Sequence, residues 1–203
     1  MEAIMIIDIL RRAKANVVVA SVGDNLEILA SRKVKLVADM LLEEAAKFSF
    51  DLIVFASKLD ICHLPWLSSP SNFLLWLNIF KLGFACFQGG LGGAQTFANV
   101  DKLVSLLKKQ AESNKPYGAI CASPALVLEP HGLLKGKKAT AFPAMCDKLS
   151  DQSFIDNRVV VDGNLITSRG PGTSMAFALG IVEKFLGRAK ALELAKVMLV
   201  VGQ

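Results

Sequence analysis

The chain has 203 residues, of which 53% are hydrophobic and 20% are charged. This length suits one large domain with a sizeable core, and the composition excludes a disordered chain. The formal net charge of +5 does not indicate nucleic-acid binding, because the lysines and arginines are scattered and form no dense run beside aromatic residues.

The four cysteines, at positions 62, 86, 121 and 146, show no CxxC spacing. Because no cleavable signal peptide precedes them, this pattern predicts neither a disulfide framework nor a zinc site. We therefore expect free thiols in a reducing compartment, the cytoplasm, with the nucleus or a plastid as the alternatives. The apolar residues 1–12 include early acids and are too short for a membrane span.

The predicted elements alternate between helix and strand along the chain. In the first half they are a helix at 3–13, strands at 16–21 and 34–38, a short helix at 40–48 and a buried strand at 51–56. In the second half they are a helix at 99–113, a strand at 117–120, a hairpin of strands 158–161 and 165–167, and a helix at 173–186. This order indicates a parallel α/β sheet with helices on both faces.

The stretch from Lys115 to Val127 combines a strand, a sharp turn and a helix start. Pro116 limits the strand at one end, and Ala122-Ser123-Pro124 suits the first turn of a helix. Cys121 is therefore predicted at the elbow, where free amides and the helix dipole favour the nucleophilic thiolate. The alternative interpretation is that Cys121 is a small buried hydrophobe.

Two glycine clusters are candidates for the same site, Gly89-Gly90-Leu91-Gly92-Gly93 and Arg169-Gly170-Pro171-Gly172-Thr173. The first lacks both the GxGxxG register and the Lys-Ser/Thr of a phosphate-binding loop, so phosphate binding is not predicted. A glycine turn beside Cys121 would present backbone amides to an oxyanion or a carboxylate. A plain turn is the alternative interpretation.

Four motifs in family order carry a resemblance to a known family: Glu2-Ala3, GGLGGAQ at 89–95, GAICASP at 118–124 and TSRGPGTS at 167–174. Together they resemble the DJ-one branch of the PfpI superfamily, the parkinsonism-associated deglycases related to class I glutamine amidotransferases. The chain is similar to one half of a tandem-domain plant member. The resemblance implies a flavodoxin-like three-layer α/β sandwich with a mostly parallel sheet, and a homodimer or a pairing of two tandem domains.

The resemblance also implies the residues of an active site. Cys121 matches the family's nucleophile and oxidation-sensing cysteine, and Glu2 matches the acid whose carboxyl lies against it. Gly90 and Ala122 match the backbone amides around the thiolate. Arg12 and Arg32 match family positions that point toward the active site of a neighbouring subunit or contact the substrate.

The activity implied is the handling of small reactive aldehydes such as methylglyoxal, of the glutathione-independent glyoxalase III or deglycase type, without a cofactor or metal. Ala122 stands where peptidase-like relatives have histidine, and Phe142 stands where several members have histidine before a proline. A Cys-His dyad is therefore absent and peptidase activity is not expected. The alternative from another class is a non-catalytic, redox-responsive module that binds and protects client proteins.

Two departures from the family affect the fold. The chain starts within the Glu2 motif, so we expect the sheet to lack its first, central strand and Glu2 to be weakly held near the terminus. We expect a single domain, 1–203, that is interrupted by an apolar insertion at about 55–88. The composition of this insertion resembles that of a translated intron, and the functional alternative is an interfacial membrane helix. We expect residues 57–88 to loop out and to expose an aromatic patch around Phe73, Trp76, Phe80 and Phe84, so that their removal raises soluble yield.

Overall fold

The computed structural model describes residues 1–29, 34–57, 73–77, 87–88 and 100–200. Among the described residues the α-helices are α1 (Glu2–Arg12), α2 (Leu42–Ala45), α3 (Asp101–Glu112), α4 (Ser174–Leu186) and α5 (Arg188–Val197). A π-helical turn spans Pro124–Leu128, and 3-10 helices span Pro143–Lys148 and Pro171–Thr173. The strands are β1 (Val17–Ser21), β2 (Glu27–Leu29), β3 (Lys35–Val37), β4 (Met40–Leu41), β5 (Ile53–Ser57), β6 (Phe73–Leu77), β7 (Phe87–Gln88), β8 (Tyr117–Cys121), β9 (Val159–Asp162) and β10 (Leu165–Ser168).

The main sheet has the strand order β4-β1-β6-β5-β8-β10-β9, with β7 paired to β6. Strands β1, β4, β5, β8 and β10 run in the same direction, because β1 and β5 are both antiparallel to β6 and the pairs β1–β4, β5–β8 and β8–β10 are parallel. Strand β9 closes one edge as the antiparallel partner of β10. The mostly parallel α/β sheet expected from the sequence is confirmed.

Two apolar clusters cover the two faces of this sheet. Neighbouring strand residues alternate between them: Ile120 and Val54 belong to one cluster, and Ala119 and Ile53 belong to the other. The first cluster includes buried residues of α1, α4 and α5, and the second includes buried residues of α2 and α3. Because side chains of a strand alternate between faces, the two clusters define a three-layer sandwich.

The centre of the sheet differs from the sequence expectation. Residues 57–88 do not all loop out, because Phe73–Leu77 form β6 between β1 and β5. All five residues of β6 pair with β1, and Leu75 and Trp76 also pair with Val54 and Ile53. The empty central position would leave backbone groups of β1 and β5 unpaired, and this nearby apolar run fills it. Phe80 and Phe84 of the expected patch lie outside the described residues.

Most local elements match their predictions. The predicted helix at 40–48 is wrong in part, since Met40 and Leu41 pair in parallel with Ala20 and Ser21 and leave only Leu42–Ala45 helical. Helix α5 was not predicted; it buries only a narrow face, including Ala191 and Leu194. Within the described ranges, no helix is long and apolar enough to cross a membrane.

Candidate active site

Cys121 is the last residue of β8 and lies at a sharp turn in the backbone. Its φ angle of +68° places a non-glycine residue in the left-handed region. That conformation costs a residue with a Cβ roughly 1–2 kcal/mol, so the surrounding structure has to hold it. Strand β8 is paired on both sides, by β5 and β10, and the Phe142 N–H donates to the Cys121 carbonyl at 2.7 Å. The predicted elbow is therefore present.

The segment after the elbow is shorter than predicted. Instead of a full α-helix, a single π-helical turn spans Pro124–Leu128. It begins near the elbow, where the Leu126 N–H donates to the Ala122 carbonyl at 2.9 Å. A five-residue turn has a smaller dipole than the predicted helix, because the dipole sums over aligned peptides. The local backbone geometry consequently matters more at Cys121 than a helix dipole does.

Glu2 lies in the first turn of α1 and is only 1% exposed, as is Cys121. The expectation of a weakly held Glu2 is wrong. The Met5 N–H donates to the Met1 carbonyl at 3.1 Å and closes the first turn. The neighbouring Ala3 and Ile6 are fully buried in the cluster that also contains Cys121. Packing of α1 on this cluster fixes the carboxyl.

Gly170 brings Glu2 close to Phe142. A Cβ built on Gly170 would lie 3.9 Å from Glu2 Oε1 and 3.5 Å from Phe142 Cδ2. The Gly170 N–H donates to Thr173 Oγ1 at 3.0 Å, and the hydroxyl oxygens of Ser168 and Thr173 are 2.7 Å apart. These bonds fix Gly170 at the end of β10, beside the carboxyl end of β8. Carboxyl ends of parallel strands are where ligand sites form in such sheets.

Phe142 joins this group to the elbow. Its N–H is bonded to the Cys121 carbonyl, and its own carbonyl accepts from the Met145 N–H at 2.7 Å and from the Cys146 thiol at 3.5 Å. Its ring packs against the cluster that contains Cys121 and remains partly exposed. Glu2, Phe142, Gly170 and the Cys121 elbow therefore meet in one region.

The other predicted site residues are placed differently or not at all. Arg12 is at the far end of α1 from Glu2, about 15 Å away at 1.5 Å per residue, and its Nε pairs with Asp8 Oδ2 at 2.8 Å. Ala122 is fully buried next to Cys121. Gly90 and Arg32 lie outside the described residues, as do the cysteines at 62 and 86.

A groove of about 740 Å³ lies at the opposite end of β8. It is lined by three lysines and three carboxylates, together with small and apolar residues. The charged lining residues are Glu129, Lys135, Lys137, Lys138, Asp151 and Asp162. Tyr117, at the start of β8, bonds to the carbonyl of Leu133 nearby. Cys121 is four residue steps along the strand from Tyr117, about 13 Å, so this groove is not part of the candidate site.

Sequence reasoning missed the part that Phe142 plays. The residue was noted only because it is not a histidine, and Gly170 only as part of a motif. Both residues lie near Glu2, from which they are 140 and 168 residues away in sequence, and no local pattern can reveal such proximity. The signal that was available is the pair of motifs AFP at 141–143 and RGPGT at 169–173, the second of which directly follows the predicted strand at 165–167.

Comparison with known proteins gives consistent matches. The model of the DJ-1/PfpI family matches residues 84–184. Over 98% of its length the chain is 64% identical to Protein DJ-1 homolog B of Arabidopsis thaliana and 36% identical to Protein dj-1beta of Drosophila melanogaster, covering 38% and 90% of those proteins. The chain thus spans about two fifths of the length of its Arabidopsis relatives, 38% of homolog B and 43% of homolog A.

Solved structures show the same similarity. Oxidised DJ-1 of Toxoplasma gondii superposes with a TM-score of 0.78 at 33% identity, covering 98% of this chain and 90% of that one. Drosophila melanogaster DJ-1beta superposes with a TM-score of 0.76 at 33% identity, covering 99% and 91%.

Proposed function

Since the chain belongs to the DJ-1/PfpI family, we propose that it is a cysteine-dependent enzyme that converts small α-oxoaldehydes such as methylglyoxal without glutathione, or removes them from adducts. The observation that carries this proposal is the strained Cys121 elbow with the buried Glu2 carboxyl beside Phe142 and Gly170. A thiol and a carboxyl in one enclosed site supply a nucleophile and a proton carrier.

The proposed reaction begins at the sulfur. Glu2 accepts the thiol proton, and the Cys121 thiolate forms a C–S bond with the aldehyde carbon while the carbonyl electron pair moves to the oxygen. Glu2 returns the proton to that oxygen, which gives a neutral hemithioacetal. Backbone amides of the elbow, including that of Ala122, hold the developing oxyanion in this proposal, and Gly90 is assigned the same role only because it matches the family's motif.

The second half of the reaction moves a hydrogen between neighbouring carbons. Glu2, again a carboxylate, removes the proton from the sulfur-bound carbon, and the electron pair forms an enediolate whose negative charge lies on the oxygen of the neighbouring carbon. Glu2 returns the proton to that neighbouring carbon, the hydroxyl proton of the former hemithioacetal passes to the enediolate oxygen, and the product is a lactoyl thioester on Cys121. Water then cleaves the C–S bond, releasing lactate and restoring the thiol, so no external oxidant or reductant is consumed.

We also propose that Cys121 responds to oxidants. An elbow thiolate that attacks an aldehyde also reacts with peroxide, giving sulfenate and then sulfinate. Oxidised DJ-1 of Toxoplasma gondii is among the similar structures. Oxidation removes the nucleophile, so the same residue would report oxidative stress by losing activity.

Pairing of two such domains is part of the proposal. Arg12 is half exposed on the outer face of α1 and too far along that helix to reach the Glu2 of its own domain. A role toward a neighbouring domain, in a homodimer or a tandem pair, fits this position.

The test is lactate formation from methylglyoxal in the absence of glutathione. Cys121→Ser removes the nucleophile, and Cys146→Ser is the matched control, because Cys146 is also a buried free thiol. We expect activity in the wild type and in Cys146→Ser, and a loss of at least about a thousandfold in Cys121→Ser. A folded wild type without Cys121-dependent turnover would rule out the enzyme and favour the client-binding module.

A further inference from the structure

We propose that Phe142 is the specificity-determining wall of this site and selects α-oxoaldehydes that have an apolar, preferably aromatic, group beside the reacting carbon. The inference rests on the proposed function and names its substrate class. It depends on three observations on the described residues: where the Phe142 ring lies, how its backbone is held, and how exposed it is compared with the groups beside it.

The ring and the reacting carboxyl border the same space. The point 3.9 Å from Glu2 Oε1 and 3.5 Å from Phe142 Cδ2 is the Cβ position of residue 170, which glycine leaves empty. A substrate carbon that Glu2 deprotonates has to come within contact distance of the Glu2 oxygens. The substituent on that carbon, or on its neighbour, is therefore within reach of the ring.

The backbone of Phe142 is held at both of its polar groups. Its N–H is bonded to the Cys121 carbonyl, and its carbonyl accepts from Met145 and Cys146. The ring therefore keeps a fixed origin relative to the elbow, which a wall that discriminates between substrates requires. A side chain on a loosely held loop would not discriminate in this way.

Phe142 is also the partly exposed member of the group. Glu2 and Cys121 are each 1% exposed and Gly170 is buried, whereas Phe142 is intermediate. The ring is therefore the member of this group that solvent reaches. An aromatic face attracts apolar and aromatic substituents and offers no hydrogen bond to a hydrated or charged one.

The experiment compares phenylglyoxal with glyoxal, measuring kcat/KM for each in the wild type, Phe142→Ala and Phe154→Ala. Phe154 is the matched control because it is also a partly exposed phenylalanine, but it contacts Lys138 away from the site. We expect the wild type to prefer phenylglyoxal. In Phe142→Ala the phenylglyoxal-to-glyoxal ratio should fall about tenfold or more, whereas Phe154→Ala should keep the wild-type ratio. An unchanged ratio in Phe142→Ala overturns the inference and leaves the proposed function intact.

A second variant decides the question if Phe142→Ala does not fold. Gly170→Ala places a methyl group in ordinary contact with Phe142 and Glu2, and the φ of Gly170, 161°, is extended backbone that alanine adopts. The added methyl narrows the space beside the ring and should lower the same ratio. A folded Gly170→Ala with the wild-type ratio contradicts the wall.

A readout without turnover separates this inference from the proposed function. Phenacyl bromide and iodoacetamide both alkylate a thiol, but only the first carries an aromatic ketone like that of phenylglyoxal. We expect the phenacyl-to-iodoacetamide rate ratio at Cys121 to fall in Phe142→Ala and to stay unchanged in Phe154→Ala. If the wild type turns over no aldehyde, the proposed function fails, and this ratio alone supports the wall when it falls or overturns it when it does not.

Discussion

Because β6 lies in the centre of the sheet, a proline in this strand should destabilise the fold, whereas a proline in a looped-out segment should not. Leu75 pairs with Val19 of β1 on one side and with Val54 of β5 on the other. Leu75→Pro removes a backbone N–H from the middle of the sheet and introduces a ring that clashes with the ladder. The backbone group left unpaired in the buried sheet alone costs about 1–3 kcal/mol. For a chain of this size, that corresponds to a fall in Tm of about 2–12 °C.

The matched control is Leu75→Ala, which changes the same side chain and keeps the amide. The free energy of unfolding of both variants is measured by urea denaturation followed by circular dichroism. Because the backbone effect is the difference between the two, we expect Leu75→Pro to be less stable than Leu75→Ala by at least about 1–3 kcal/mol. Equal stability of the two variants would show that β6 is not paired on both sides.

The same reasoning reverses the expectation for a shortened chain. Replacing Phe55–Gln88 by Leu-Pro removes the partner of all five residues of β1 and of two residues of β5. Each buried backbone group left unpaired costs about 1–3 kcal/mol, and a whole domain is stable by only about 5–15 kcal/mol. The shortened chain should therefore be less soluble than the full chain, and a higher soluble yield would contradict the placement of β6.

Three further predictions concern the sheet and the thiol. Gly118→Ala should destabilise the fold by about 1–3 kcal/mol, because its Cβ would meet the Ile166 carbonyl oxygen at 2.9 Å, while Gly172→Ala, with open space around it, is the neutral control in the same urea titration. Burial and, secondarily, the charge of Asp162 raise the pKa of the Tyr117 hydroxyl to about 12. The protonated hydroxyl therefore contributes its full share of the free energy of unfolding below about pH 10, and this contribution is lost as the pH rises toward 12. Tyr117→Phe should abolish that alkaline loss of stability, and parallel pH profiles of the two proteins would refute the assignment. Mild peroxide should convert Cys121 to sulfinate before Cys146, whose thiol is bonded to the carbonyls of Ala141 and Phe142; equal oxidation of both peptides by mass spectrometry would contradict an activated elbow.

The features that the sequence predicted correctly are mainly local. The elbow at Cys121 is indicated by a strand run, a small residue and a tolerated proline within about ten positions, and the hairpin around Asp162-Gly163-Asn164 is indicated by its turn residues. Even there, the length of the helix after Cys121 was wrong, because the π-helical turn ends at Leu128, shortly before Pro130 and Gly132, whose φ is +73°. Local patterns determine the kind of turn more reliably than they determine the length of the next helix.

The features that sequence reasoning missed depend on distant contacts. Strand β6 lies between β1 and β5, which would otherwise leave backbone groups on their facing sides unpaired. The sequence of residues 73–77 alone does not reveal this open position in the sheet. Likewise, Glu2 is buried because α1 packs against α4 from the other end of the chain. The position of Glu2 near the terminus predicted a weakly held side chain, because the sequence shows only its neighbours along the chain and not the helix that packs on it.

The most direct test of the proposed chemistry is the covalent state of Cys121 during turnover. The protein is mixed with methylglyoxal, quenched in acid within the first turnover, and the peptides containing Cys121 and Cys146 are analysed by mass spectrometry with and without hydroxylamine, which cleaves thioesters. We expect a hydroxylamine-labile lactoyl group on Cys121 in the wild type, and none in Glu2→Gln, where the proton carrier is absent. Lactate formation without this thioester, or the same thioester in Glu2→Gln, would contradict the proposed roles of Cys121 and Glu2.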